Sequence, residues 1–398
     1  SLFLLCLDEG VGRGSEDDAG RVAQMLHGWG SRGDGANRWY DKTVQFVLSK
    51  DGLFGLNYEH SCAEGIAVVD VVHQVVRRMK DPRSSSTLGE SLVIPRLPTK
   101  LRWNLSSSNA AALSAASAAL DALVHDLDLT VLRFREFGKD FAKNQKMSPD
   151  GFIQIALQLA YFKRHGRLTS TYESATLRRF HRGRVDVIRA STPETRAFVE
   201  AMTSSESSAD AEKWRLLTAA ATKQALVTKD ALEGSGVDNH LLGLRIAAEE
   251  EGLSPALFSH PSFAAFHKFS LSTSQVPTAD PASFMCYGAV TPDGYGVAYN
   301  PRANDVLFAV AAFRSAPETS AAKFATNIEE ALMDMRRLCE AKDDAGISSE
   351  SVVDAASGVA GSSETALSSL KALGCGVSKV LNLGCKKLQE LSPSLAKS

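Results

Sequence analysis

Three stretches hold residues whose types and spacing can do chemistry. The first is centred on His60, within Gly55-Leu-Asn-Tyr-Glu-His-Ser-Cys-Ala-Glu-Gly65. An imidazole there can act as a general base, because histidine changes charge near neutral pH. The same ring also reads as a surface or satisfied loop histidine. The second stretch is Gly138-Lys-Asp-Phe-Ala-Lys-Asn-Gln-Lys-Met-Ser-Pro-Asp150, with Lys139, Lys143 and Lys146 just ahead of a helix start at Ser148-Pro149-Asp150. A helix start offers unpaired N–H groups and partial positive charge, so with lysines beside it a phosphate is the natural ligand. A solvated basic face is the plainer reading. The third is Leu271-Ser-Thr-Ser-Gln275, a hydroxyl cluster at a strand end that could donate to a developing oxyanion or serve only as hydrogen-bonding filler. A covalent serine or Cys62 nucleophile with His60 as its base is disfavoured by the absence of a GxSxG elbow.

The elements around these stretches must hold them. Thr43 to Leu48 and the run resuming at Leu53, broken at Ser49-Lys-Asp-Gly52, predict a hairpin. Ile66 to Met79 has apolar residues at helical spacing, which puts His60 at a strand-to-helix junction. Ser1 to Leu7 reads as an interior strand, and Glu16 to Gly28 as a helix with Val22, Met25 and Leu26 on its packed face. Ala110 to Leu127 is expected to be a packing helix along Leu113, Ala116, Leu120 and Leu123. Ser148 and Pro149 cap a helix through Ile153, Leu157 and Tyr161. Lys213 to Glu233 and Ser320 to Lys342 are further helices, the latter with Phe324, Ile328, Ala331, Leu332 and Met335 on one side. In Asn37-Arg-Trp-Tyr-Asp-Lys42, Trp39 and Tyr40 are expected to pack, with Asp41 and Lys42 pairing at a turn.

With 398 residues, 44% hydrophobic and 23% charged, the chain is an ordinary globular protein long enough for two domains. A net charge of -2 gives no case for nucleic acid or a membrane surface, and no apolar run is long enough to span a bilayer. The six cysteines lack metal-ligand spacing and read as reduced thiols, so a cytoplasmic location and no bound metal are expected. A Ser-, Pro- and Arg-rich linker at residues 80–98 places a boundary between Pro95 and Asn104. The expected domains are 1–98, 99–342 and a low-complexity tail, 343–398.

Asn37-Arg-Trp-Tyr-Asp-Lys42, Glu59-His60, Thr171-Tyr-Glu-Ser174 and Leu271-Ser-Thr-Ser-Gln275 occur in that order, and together they make a chain that resembles the choline/carnitine acyltransferase family over roughly residues 1 to 340. The resemblance implies an α/β fold of two domains like chloramphenicol acetyltransferase, with an active-site tunnel between them. Family members are longer on their N-terminal side, so the chain is expected to be a fragment or incomplete gene model.

The resemblance also implies roles. His60 is the general base and Ser274 the oxyanion donor, in direct acetyl transfer from acetyl-CoA as co-substrate, with no permanently bound cofactor. Lys139, Lys143 and Asp150 fall on coenzyme A positions; Lys146 lies in the same lysine run, Gln275 falls near the coenzyme, and Arg178 or Arg179 assists its phosphate. Tyr172, Ser174 and Tyr287 line the pocket for a trimethylammonium alcohol, and Met285 closes the acyl pocket around a short chain. Val185 and Asn239 stand where carnitine enzymes carry Thr and Arg, which removes the partners a carboxylate needs and favours choline. Val187 stands where choline enzymes usually carry Asn, and Ala63-Glu64-Gly65 looks more like the carnitine enzymes, so carnitine is the alternative. The partners expected are these small molecules, bound by a monomer; an inactive paralogue that only binds coenzyme A is the alternative of another class.

Overall fold

In chain order, the computed structural model, which describes residues 2–10, 17–61, 63–81, 99–204, 208–275, 278 and 283–344, has strand β1 (Leu4–Asp8), helix α1 (Asp18–His27), β2 (Val44–Ser49), β3 (Phe54–Tyr58), α2 (Gly65–Lys80) and α3 (Ser107–Asp126). Then follow β4 (Leu127–Phe134), α4 (Lys139–Asn144), α5 (Pro149–His165), β5 (Thr171–Tyr172), β6 (Ser174–Thr176) and β7 (Val185–Val187). Helices α6 (Pro193–Thr203), α7 (Asp210–Leu232), α8 (Val237–Glu250), α9 (Ala256–Ser259) and α10 (Pro261–His267) lead to β8 (Leu271–Gln275), β9 (Tyr295–Pro301), β10 (Val306–Phe313) and α11 (Ala321–Asp344). The architecture is mixed α/β. Two compact units divide it, one of residues 1–141 with 270–326, the other of 142–269 with the described residues from Asn327 on. Most of the linker expected around residue 95 and nearly all of the tail, 345–398, lie outside the described residues.

The first unit holds two sheet systems. β1 runs parallel to β2, which pairs antiparallel with β3 through the expected Asp-Gly hairpin. β4, β10, β9 and β8 lie side by side, β10 antiparallel to both its neighbours and β8 parallel to β9. β10 is a run of Val, Leu, Phe and Ala buried from Val306 to Ala312, as a central strand covered on both faces must be. Tyr295 of β9 stacks on Phe324, 4.2 Å between centroids.

The β1–β2–β3 sheet buries its polar side. Cys6, Asp8, Gln45, Val47 and Ser49 are buried, whereas Leu5 and Leu7, in register with Phe46 and Leu48, point the other way; Leu7 is 66% exposed. Under the buried side lies Arg38, whose guanidinium grips both oxygens of Asp8 at 2.9 and 2.7 Å and also donates to Gln24 O at 2.6 Å and Met25 O at 3.1 Å. This corrects one expectation. Trp39 is 65% exposed and Tyr40 also lies open, so the packed member of that string is Arg38.

Two helix faces also differ from expectation. On α1 the buried residues are Gly20, Ala23, Gln24 and His27, with Val22, Met25 and Leu26 half-buried, because Gln24 turns inward to donate to Asp8 at 2.6 Å. Helix α3 is closed by a Ser106–Asn109 capping box and anchored by Asp121, which accepts from Ser31 N and Oγ at 2.7 and 2.6 Å, but it buries no residue. Leu123 is 68% exposed.

In the second unit α5 is the central element. Residues Gly151 through Tyr161 are all buried, so the helix is packed on every side. Its limits are the expected ones: Ser148 Oγ accepts from Gly151 N at 3.3 Å, Pro149 opens the first turn, and Gly166 closes it in a left-handed conformation. The β6–β7 ribbon lies on α7 through Ala175, Ile188, Ala231, Val227 and Leu232.

Candidate active site

In the first unit His60 sits in the turn between Tyr58, the last residue of β3, and Glu64, the N-cap of α2. The strand is held in place by Glu59 N donating to Thr43 O at 3.0 Å and Asn57 Nδ2 to Met25 O at 2.8 Å. The imidazole is 57% exposed, lies 5.4 Å from the Tyr58 ring and has Nε2 3.8 Å from Glu64 Oε2. That distance is too long for a hydrogen bond. Glu59 is occupied elsewhere: Ser61 N and Oγ both donate to it, and these bonds hold its carboxyl below the usual range. Glu64 entered the sequence reading only within Ala63-Glu64-Gly65 and not as a neighbour of His60; a carboxylate four residues past a candidate base was the available signal.

Ser274 and Gln275 end β8, with Ser274 half-buried in register with Ala298 and Gln275 exposed. Met285 and Tyr287 are half-buried in the segment that follows, and the Tyr287 hydroxyl lies 3.4 Å from both Ser272 Oγ and Val297 O. Between them, burial pushes the Cys286 thiol up to about 12, so it is protonated at neutral pH and a poor nucleophile. Cys62 lies outside the described residues. Lys139 opens α4, its N–H donating to Arg302 O at 2.8 Å.

The remaining coenzyme candidates are in the second unit. Lys143 and Lys146 are exposed, and Lys146 takes a left-handed backbone (φ 59°) that ends the α4 turn, with Met147 N donating to Ala142 O at 3.0 Å. Asp150 is in the first turn of α5. A cavity of about 400 Å³ adjoins this turn, lined by Ser148, Gly151, Arg179, Gln224, Thr228 and Lys229 among others. Behind it Glu173 is buried; burial, with the neighbouring Asp150 charge and bond, raises its carboxyl well above the usual range. Gln224 Nε2 donates to Glu173 Oε2 at 3.3 Å, while its Oε1 has no partner. Gln224 and Lys229 were missed from sequence, where α7 shows only an amphipathic pattern.

The alcohol candidates form bonded pairs. Ser174 Oγ, exposed, lies 3.0 Å from Tyr172 OH, and the Tyr172 ring meets Phe269 edge-on at 5.4 Å. Asn239, also exposed, donates from Nδ2 to Val185 O at 2.9 Å, and its N–H to Asp186 Oδ1 at 3.3 Å. Among the described residues no group of three or more His, Cys, Asp and Glu could hold a metal ion, and no helix is long and apolar enough to cross a membrane.

The sequence model described as Choline/Carnitine o-acyltransferase matches residues 1–330. The chain belongs to that family. It is 46% identical over 339 residues to "Choline O-acetyltransferase" of Danio rerio, covering 85% of this chain and 53% of that protein. It is also 44% identical over 344 residues to "Carnitine O-acetyltransferase" of Columba livia, covering 85% and 54%. The chain thus spans about half the length of the curated relatives it matches. Among solved structures, a trichothecene 15-O-acetyltransferase from Fusarium sporotrichioides is similar at a TM-score of 0.49 and 11% identity, over 83% of this chain and 76% of that one.

Proposed function

We propose that this chain moves an acetyl group from acetyl-CoA to choline, with His60 as general base, in the cytoplasm. The observation that carries the reading is the family match over residues 1–330, which includes His60 at the junction of β3 and α2. Neutral His60 takes the hydroxyl proton as the alcohol oxygen attacks the thioester carbon. Ser274 donates to the oxyanion of the tetrahedral intermediate. Collapse breaks the carbon–sulfur bond, and the imidazolium returns its proton to the departing thiolate, leaving acetylcholine and free coenzyme A. Glu64, on the same turn as the ring, steadies the imidazolium while it exists.

Lys139, Lys143 and Lys146, with the start of α5 and its cavity, supply the positive field for the coenzyme phosphates. Tyr172, Ser174, Val185 and Asn239 bind the alcohol from the second unit; Tyr287, in the first, is a further alcohol residue whose aromatic face attracts a quaternary ammonium, and Met285 limits the acyl group to acetyl. Neutral Asn239 and Val185 favour choline, which has no carboxylate. Carnitine is the second reading, because relatives acting on each alcohol stand at 46% and 44% identity.

Thiol release from acetyl-CoA, followed with choline and separately with carnitine before and after Asn239→Arg, tests both. The expected outcome is turnover of choline, shifted toward carnitine by the substitution, and a loss of roughly 10²–10⁴-fold for His60→Ala. Coenzyme A binding with no transfer to either alcohol would leave a binding paralogue instead.

A further inference from the structure

We infer that Tyr58 is the positioning residue of His60: its ring packs against the imidazole and holds it in one orientation in the turn between β3 and α2. The inference rests on the reading of His60 as general base and extends it to a neighbouring aromatic. Tyr58 is the last residue of β3, in register with Val44, and the ladder runs one residue further, with Glu59 N donating to Thr43 O at 3.0 Å. In extended backbone the side chains of residues two apart point the same way. Tyr58 and His60 share a side accordingly, with ring centroids 5.4 Å apart and 35° between their planes. Tyr58 is half-buried, whereas the His60 side chain is 57% exposed. The tyrosine is thus the fixed member of the pair, and the histidine is the one that needs fixing.

An imidazole on a short turn has several staggered orientations open to it, and only some bring a ring nitrogen within proton-transfer distance of a substrate hydroxyl. The Glu64 carboxylate, 3.8 Å from Nε2, is beyond hydrogen-bond reach, and that of Glu59 is taken up by Ser61. Ring packing restrains orientation without occupying a nitrogen, so the base is held and stays a base. An aromatic pair biases such an equilibrium by roughly 3–10-fold. Tyr58 does not compete for the proton itself. Burial, with the Glu64 charge nearby, pushes its hydroxyl up, so it stays protonated at neutral pH.

Tyr58→Leu keeps apolar bulk but removes the ring, and Tyr58→Phe keeps the ring but removes the hydroxyl. The test measures, on the full chain, acetyl transfer to choline, thermal melting and the NMR signals of the His60 ring protons, identified by their loss in His60→Ala. The expected result for Tyr58→Leu is kcat lower by roughly 3–10-fold, with KM for both substrates within about twofold of wild type. Its melting temperature should be unchanged, and its His60 signals should shift because the ring current of Tyr58 is gone. Tyr58→Phe should match wild type in each readout. Added to His60→Ala, Tyr58→Leu should cost nothing more, because a residue that acts through the imidazole has no effect without it.

Full kcat in Tyr58→Leu would overturn the inference. So would a loss that persists in the His60→Ala background with a lowered melting temperature, which would mark Tyr58 as packing for β3. A Tyr58→Phe variant as slow as Tyr58→Leu would also overturn it, by moving the effect to the hydroxyl. In each of these cases the acetyltransferase reading stands. A chain that binds coenzyme A but turns over neither alcohol, or that keeps full turnover in His60→Ala, would overturn that reading and the inference with it.

Discussion

A buried carboxylate stays charged only when donors surround it, and Asp8 has four: Arg38 NH1 and NH2, Asn37 Nδ2 and Gln24 Nε2, at 2.6–3.0 Å. Burial pushes its carboxyl up, but the bonds from Arg38, Asn37 and Gln24 outweigh burial and hold it below the ordinary carboxylate range. A carboxyl depressed in the folded state contributes stability above its unfolded value of about 3.9, and that contribution is lost as pH falls through the folded value. Urea unfolding should therefore show Arg38→Ala costing ~3–5 kcal/mol at pH 7. The gap to wild type should narrow below about pH 4, where protonation of Asp8 removes the uncompensated charge. A gap that stays constant with pH would contradict this account. The turn between β3 and α2 that carries His60 could be placed from sequence because its hairpin and helix are local patterns. The Arg38–Asp8 pair could not, since its partners are 30 residues apart, and two aromatic neighbours drew the packing expectation instead.

Elements follow the same division between local and distant causes. Helix α5 was readable to its ends because Ser148, Pro149 and Gly166 are local signals. Helix α3 was readable as a helix, yet its stripe is bare: spacing says which residues share a face, not whether anything covers it. The position of α4 depends on close backbone approach at Gly138, where an added Cβ would come within 2.4–2.5 Å of Arg302 O, Ala303 O and Asp305 N. None of those atoms is a flexible side-chain end. Gly138→Ala should therefore destabilise by ~1–3 kcal/mol in denaturant melts and weaken coenzyme A binding by displacing Lys139, whose N–H bonds Arg302 O. Unchanged stability would show that the β9–β10 connection yields freely. The candidate residues could be named as types at positions; the bonds from Glu173 to Gln224 and from Arg189 to Asp238 join residues 51 and 49 apart and could not.

At the scale of the molecule the β1–β2–β3 sheet is inverted relative to an ordinary two-sided sheet, clamping its polar face inward and presenting Phe3, Leu5, Leu7 and Leu48 outward. Contiguous apolar surface of this kind is uncommon on soluble monomers. It lies on a chain spanning 53% of the length of its Danio rerio relative. The isolated chain should enhance the fluorescence of a hydrophobic dye such as ANS, and Leu7→Lys should reduce that signal without lowering the melting temperature, since Leu7 is already exposed. An unchanged signal would locate the dye elsewhere. The same strands carry a practical consequence: on a phenyl or octyl column the chain should be retained in moderate ammonium sulfate despite its 23% charged residues, and detergent or ethylene glycol, rather than sodium chloride, should be the eluant that recovers it.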